Sequence, residues 1–177
     1  MSVSDEVVVA GDPASCSRLG AVLRHHGSRL GERRNELAGA QHDLSAWSGE
    51  AGDAARGRLS RQLVVLAACA DALDRAGAEV QRYATDLAEA KALGHRAEQS
   101  ARAGGLRIAD GRVVEPWGVA SSADAERRLA LAPQVQAVVE AAEAAAERAR
   151  TAVQRASLEL SEIFAAQSRQ LRAIPPQ

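Results

Sequence analysis

Histidine side chains are the first groups in this chain whose type could support metal binding. The histidines are His25, His26, His42 and His95, and no HxxxH or HExxH spacing occurs among them. Because His25 and His26 are adjacent, their side chains diverge by about 100° on a helix and cannot hold one metal ion together. We expect His26 to be buried between two helices and the other histidines to lie on the surface. The sequence predicts no metal site.

Cysteine and serine give no stronger prediction of a reactive site. The cysteines, Cys16 and Cys69, are about 16 Å apart along the helix axis in the register derived below, too far for a disulfide. Ser48 lies in Trp-Ser-Gly-Glu, and the chain lacks the GxSxG elbow that exposes a serine nucleophile. Phosphate-binding loops, dinucleotide-binding glycines and paired carboxylates are also missing from the sequence. We therefore predict neither an enzyme nor a cofactor.

Composition indicates long helices that pack through small side chains. Hydrophobic residues make up 46% of the 177 residues, but aromatic residues only 2%, and much of the apolar content is alanine. The formal net charge of −1 offers no basic excess for binding nucleic acid. A stretch of ~18 apolar residues is absent, so no transmembrane segment is predicted. The acidic residues near Met1 are unlike a Sec signal peptide, so we expect synthesis in the cytoplasm.

Two runs of heptad-spaced apolar residues flank Trp47-Ser48-Gly49 and predict an antiparallel helical hairpin. Pairing Leu23 with Leu73, Leu30 with Leu66 and Leu37 with Leu59 folds the chain about residue 48 in every case. In that register Leu19 faces Gly77 and His26 faces Ala70, with a large side chain opposite a small one. The residues predicted to form this helix seam are Leu19, Leu23, Leu30, Leu37, Leu44, Leu59, Leu63, Leu66, Leu73, Val80 and Leu87.

Capping residues and turn residues place the boundaries of the elements. Asp12-Pro13 predicts the start of a helix over 13–44, and Gly104-Gly105 ends a second helix over 52–102. Asp110-Gly111 predicts a β-hairpin in the insert 103–120, which Pro116-Trp117-Gly118 closes. Ser121 or Ser122 caps a short helix that ends or kinks at Pro133, and a long helix follows within 121–173. We expect one all-α domain over 1–177, an elongated antiparallel helical bundle. Gly20, Gly27 and Gly31 are expected to permit close helix approach.

The Trp-x-Gly bend between two helices resembles the WXG-type substrates of type VII secretion. Gly11-Asp12-Pro13 and the continuation of the bend to Ala54 also resemble the N-terminal helical domains of larger actinobacterial effectors. The resemblance covers residues 11–102 and implies export of a folded helical pair. It implies that Trp47 and Gly49 form half of a composite secretion signal.

The other half of that signal in the family is a YxxxD/E motif, and this chain departs from it. Tyr83 and Asp86 give YxxD, one residue short, and Tyr83 is predicted to lie about 50 Å from Trp47. The resemblance therefore implies either that a partner supplies the missing half or that this chain is not itself the signal-bearing subunit. The expected partner is a small helical WXG-type protein or a second copy, with the secretion machinery beyond it. The alternative is a cytosolic coiled-coil scaffold or dimerisation module in which Trp47 is structural.

Overall fold

A computed structural model describes residues 9–115, 118 and 121–172. In chain order, its elements are α1 (Pro13–Asp43), a 3-10 turn (Leu44–Ala46), α2 (Glu50–Ala103), β1 (Arg107–Ala109), β2 (Arg112–Val114) and α3 (Ser122–Arg172). The chain is therefore all-α with a small β-hairpin, as predicted. Pro116, Trp117 and the C-terminal prolines Pro175 and Pro176 lie outside the described residues.

The helix boundaries follow the capping residues that the sequence predicts. The Asp12 carboxylate accepts a hydrogen bond from the backbone N–H of Ala14 at 3.1 Å, and Pro13 begins α1. α2 ends in a Schellman motif, in which the N–H of Leu106 donates to the Ala101 carbonyl at 2.8 Å and Gly105 has φ +68°. Ser121 caps α3 through the N–H of Asp124 at 3.2 Å. The hydrogen bond from the Ser121 hydroxyl lowers the pKa of Asp124.

The α3 segment corrects the prediction of a short helix followed by a long one. Pro133 lies inside a continuous helix, although it removes one backbone hydrogen bond. Val135 and Val139, within two turns of the proline, are 2% and 0% exposed in a cluster with Ala97 and Leu106. We infer that this packing offsets the lost bond, because most helix stability in proteins comes from the buried face.

The contacts group the chain into two compact units, to which α2 and α3 both contribute. The first unit contains residues 9–15 with Tyr83–Ala152, and the second contains Cys16–Arg82 with 153–172. The first unit holds two buried clusters. One joins Val9, Leu87, Ala90, Ala142 and Ala146, and the other joins Ala97, Ala101, Leu106, Val135 and Val139.

The β-hairpin belongs to the first unit and has the predicted two-residue turn. Asp110 and Gly111 have φ +50° and +70°, the left-handed pair that a type I′ turn requires, and Ala109 pairs with Arg112. The Gln136 amide attaches the hairpin to α3, since it accepts a hydrogen bond from the Val113 N–H at 2.8 Å. It also donates to the Gly111 carbonyl at 3.2 Å.

In the second unit α1 and α2 run antiparallel and approach closely at glycines. A Cβ atom on Gly20 would lie 2.7 Å from the Gly77 carbonyl oxygen, and one on Gly27 would lie 3.0 Å from the Ala70 carbonyl oxygen. The expectation for Gly20 and Gly27 is confirmed. Among the described residues, no atom of α2 lies within 4 Å of such an atom on Gly31, so Gly31 is not a point of close approach.

Candidate interaction site

The bend between α1 and α2 presents Trp47 on the surface. Trp47 has extended backbone angles, its N–H donates to the Leu44 carbonyl at 3.1 Å, and its side chain is 51% exposed. Gly49 has φ +96°, a conformation that glycine adopts without strain, and its carbonyl accepts the Asp53 N–H at 3.0 Å to start α2. The Trp-x-Gly sequence therefore makes a tight connection that leaves an indole in solvent.

Arg56 fastens this bend to the first turns of α2. One guanidinium nitrogen, Nη1, donates to the carbonyls of Leu44 at 2.9 Å and Trp47 at 2.6 Å. The other, Nη2, forms an ion pair with the Asp53 carboxylate. Gly52, one turn before Arg56, is buried, and a Cβ atom there would collide with the Trp47 carbonyl oxygen. The Trp47 carbonyl therefore packs against Gly52, and Arg56 holds it in place by a hydrogen bond.

Arg56 and Gly52 were not predicted from the sequence because their partners are backbone carbonyls, which leave no pattern in the sequence. A weak signal was present. Gly52 and Arg56 are separated by four residues and so lie on one face of α2, directly after the bend. Among the many arginines of this chain, that spacing alone did not single out Arg56.

The predicted seam is offset by one residue at the start of α1. Leu19 was expected opposite Gly77 and His26 opposite Ala70, whereas Gly20 and Gly27 occupy those places. Leu19 is 54% exposed and His26 is also exposed, so both expectations are corrected. The physical reason is that a residue without a side chain lets the two backbones approach, which turns its neighbour outward.

The other residues of the predicted seam differ in how deeply they are buried. Leu87 is 2% exposed, but it packs in the first unit against Val9 and α3 rather than against α1. The remaining members are all only half-buried: Leu23, Leu30, Leu37, Leu44, Leu59, Leu63, Leu66, Leu73 and Val80. Leucines in a filled helical core are normally buried, so the described residues cover these side chains only in part.

The end of the hairpin next to the bend has the thinnest core. Over residues 28–64, all of which the structure describes, Gly52 is the only buried residue. We call the segments 28–43 and 50–64 together with the bend the hairpin tip. In the hairpin tip, a polar contact joins α1 to α2: the Gln41 amide donates a hydrogen bond to the Ser60 hydroxyl at 2.7 Å. Val64 and Trp47 add exposed apolar surface, 66% and 51% exposed respectively.

Farther from the bend, an exposed ion pair and a hydrogen bond between α1 and α2 fix the register of the two helices. The Arg24 Nε lies 3.1 Å from an Asp74 carboxylate oxygen, and its Nη1 donates to the Gln81 side-chain oxygen at 3.3 Å. Arg24 also lies over Gly77, where a Cβ atom would come 2.5 Å from its Cγ. Since both charged side chains of the pair are more than half exposed, they contribute specificity of register rather than much stability.

Tyr83 and Asp86, the degenerate YxxD pair, lie in the first unit on α2. Tyr83 is half-buried and packs against the cluster that contains Leu87 and Ala142. Asp86 is exposed. The tyrosine is therefore partly used in packing, while the carboxylate is accessible.

The side chains considered for reactive chemistry are separate from one another. The rings of His25 and His26 have centroids 6.0 Å apart and both residues are exposed. Cys16 and Cys69 are free thiols, and burial raises the pKa of the Cys69 thiol, which disfavours the reactive thiolate. In the described part of the chain, no three His, Cys, Asp or Glu residues are grouped to hold a metal ion.

Comparison of the chain with protein-family models, curated proteins and solved structures finds no match. Within the described ranges, none of the helices combines the length and apolar character needed to cross a bilayer.

Proposed function

We propose that this chain is a type VII secretion-associated helical protein or targeting module that acts by pairing its helices with a helical partner. The observation that carries the proposal is the hairpin tip, whose leucines are half-buried and whose core contains no fully buried side chain. Two helices alone bury little apolar surface, so a third and fourth helix are needed to cover such a face.

Trp47 is the residue that we expect a partner to contact first. Trp47 lies in the bend of the hairpin tip, and it is 51% exposed. Tryptophan is strongly enriched among residues that dominate binding energy at interfaces. With the WXG resemblance, this position supports a role for Trp47 and Gly49 in export, with the missing half of the signal supplied by the partner.

A cytosolic scaffold or dimerisation module is the second candidate, and Tyr83 favours it. In a secretion signal the tyrosine should be available, whereas here it packs against the Leu87 cluster. A scaffold would use the half-buried leucines of the hairpin tip to bind a second copy. Genes for a secretion ATPase and membrane channel beside this one would favour secretion over the scaffold.

Co-expression with the small helical WXG-type proteins encoded nearby tests the proposal. We expect one of them to co-purify with the tagged chain, and Trp47→Ala to weaken the complex by about 2 kcal/mol, or ~30-fold in Kd. Leu129→Ala is the matched control, because Leu129 is 73% exposed and belongs to the first unit rather than to the hairpin tip.

The secretion proposal also requires a change in export. We expect the Trp47→Ala chain to accumulate in cells and the Leu129→Ala chain to reach the culture medium like the unaltered protein. Failure of every neighbour to co-purify, together with unchanged export of Trp47→Ala, would contradict it. A stable homodimer by light scattering in that case would support the scaffold.

A further inference from the structure

We propose that Arg56 is the positioning residue of the bend, which fixes the direction in which Trp47 points. The inference rests on the proposed function of Trp47 and adds a residue that neither the motif nor the helix pattern assigns. Trp47 is 51% exposed, yet its backbone is held by hydrogen bonds at both its N–H and its carbonyl. A side chain half in solvent can still have a defined direction if its backbone is fixed, because only a few rotamers remain.

The three contacts of Arg56 reach every part of the bend. Leu44 belongs to the 3-10 turn after α1, Trp47 is the centre of the bend, and Asp53 lies in the first turn of α2. A single guanidinium therefore connects the end of one helix, the presented residue and the start of the next. The carbonyls at a helix end carry partial negative charge, so a cation is favourable there.

The chemistry of the contacts requires arginine in particular. Nη1 donates to two carbonyl oxygens while Nη2 faces a carboxylate, which uses the planar fork of the guanidinium. A lysine ammonium is one compact charge on a flexible stem and cannot hold three acceptors in this arrangement. The Arg56 side chain is 29% exposed against 74% for Asp53, and its hydrogen bond to the Leu44 carbonyl is partly buried.

Gly52 contributes independently to the position of the Trp47 backbone. Its missing side chain lets the Trp47 carbonyl approach the helix, where it meets Nη1 of Arg56. An alanine methyl group at this position would meet a backbone carbonyl rather than the end of a flexible side chain, so the backbone of the bend would have to move. Gly57, five residues on, offers the matched control, because a Cβ atom there would meet only Arg61 Nη1 at an ordinary 3.7 Å.

Fluorescence of Trp47 tests the proposal without any partner. The chain has two tryptophans, so Trp117→Phe leaves Trp47 as the sole indole. In that background we expect Arg56→Ala to raise the amplitude of fast local motion in the time-resolved anisotropy decay about twofold. Arg58→Ala, which removes an exposed arginine from the same turn, should leave the decay unchanged.

Further variants separate positioning from simple loss of folding. We expect Arg56→Lys to retain the far-ultraviolet circular dichroism of the parent but to show a Trp47 motion between those of the parent and Arg56→Ala. Gly52→Ala should raise the same motion and Gly57→Ala should not. If Arg56→Ala does not fold, the Lys variant and the glycine pair decide the question.

The contradicting results are equally specific. Unchanged anisotropy in Arg56→Ala, or a change equal to that of Arg58→Ala, would overturn the proposal, as would Gly52→Ala behaving like Gly57→Ala. None of these readings depends on capture of a partner. If no partner binds but Arg56 orders Trp47, the proposed function fails while the positioning role stands.

Discussion

Replacement of Gly77 by alanine is expected to lower the free energy of unfolding by about 2 kcal/mol. A methyl group at this position would lie 2.7 Å from the Gly20 carbonyl oxygen and 3.0 Å from the Arg24 backbone nitrogen. Both are backbone atoms, so the two helices must separate to admit it. This cost exceeds the gain of about 1 kcal/mol that alanine normally brings over glycine inside a helix.

Alanine at Gly31 and Gly39 provides the control, with the opposite sign. Apart from the chain neighbours and the backbone of the same helix turn, no described atom lies within 4 Å of a Cβ at either position. Each replacement should therefore raise stability by about 0.5–1 kcal/mol through helix propensity and reduced freedom of the unfolded chain. Urea unfolding followed by circular dichroism measures all three variants. Stabilisation by Gly77→Ala would refute the close α1–α2 contact.

Replacement of Leu87 by alanine is expected to lower the free energy of unfolding by about 3 kcal/mol, since Leu87 is one of the two largest fully buried side chains among the described residues. Leu87 is 2% exposed and lies in the first unit against Val9, Ala90 and the α3 alanines Ala142 and Ala146. Small neighbours cannot extend to fill the space left by a leucine, so the cavity should persist.

The control for this truncation is Leu129→Ala, which removes a side chain that is 73% exposed and should change stability by less than about 0.5 kcal/mol. The urea midpoints of the two variants give the comparison directly. Equal midpoints would mean that Leu87 does not lie in a packed core. The same experiment would then question the docking of Val9 and Gly11 beside it.

Local signals in the sequence were enough to predict most helix ends and the β-hairpin. Asp12-Pro13, Gly105 and Asp110-Gly111 act through capping or through φ angles that belong to the residue itself, so no distant partner is needed to interpret them. The fold point at residue 48 was also predictable, because a heptad pattern on both sides of a turn constrains the pairing.

What was not predictable depends on how closely two backbones approach. The heptad pattern identifies a face but does not decide between Leu19 and Gly20 as the contact, since neighbouring positions border the same groove. The predicted helix break at Pro133 was wrong for a related reason. The backbone hydrogen bond that proline removes is offset by the burial of Val135 and Val139, which only the tertiary structure supplies. Arg56 bonds to carbonyls, which every residue possesses.

Under the proposed function, the hairpin tip is incomplete in the isolated chain and is completed by a helical partner. Amide hydrogen exchange measures this directly, because local opening is easier where few apolar contacts must break. In the isolated chain, the helical amides of segments 28–43 and 50–64 should exchange faster than those of 83–103, which line the buried clusters of the first unit. Addition of the co-purifying partner should slow exchange at the tip by about tenfold or more and leave 83–103 unchanged. Tip amides as protected as those of 83–103 in the isolated chain, or a complex that leaves their exchange unaltered, would contradict the account.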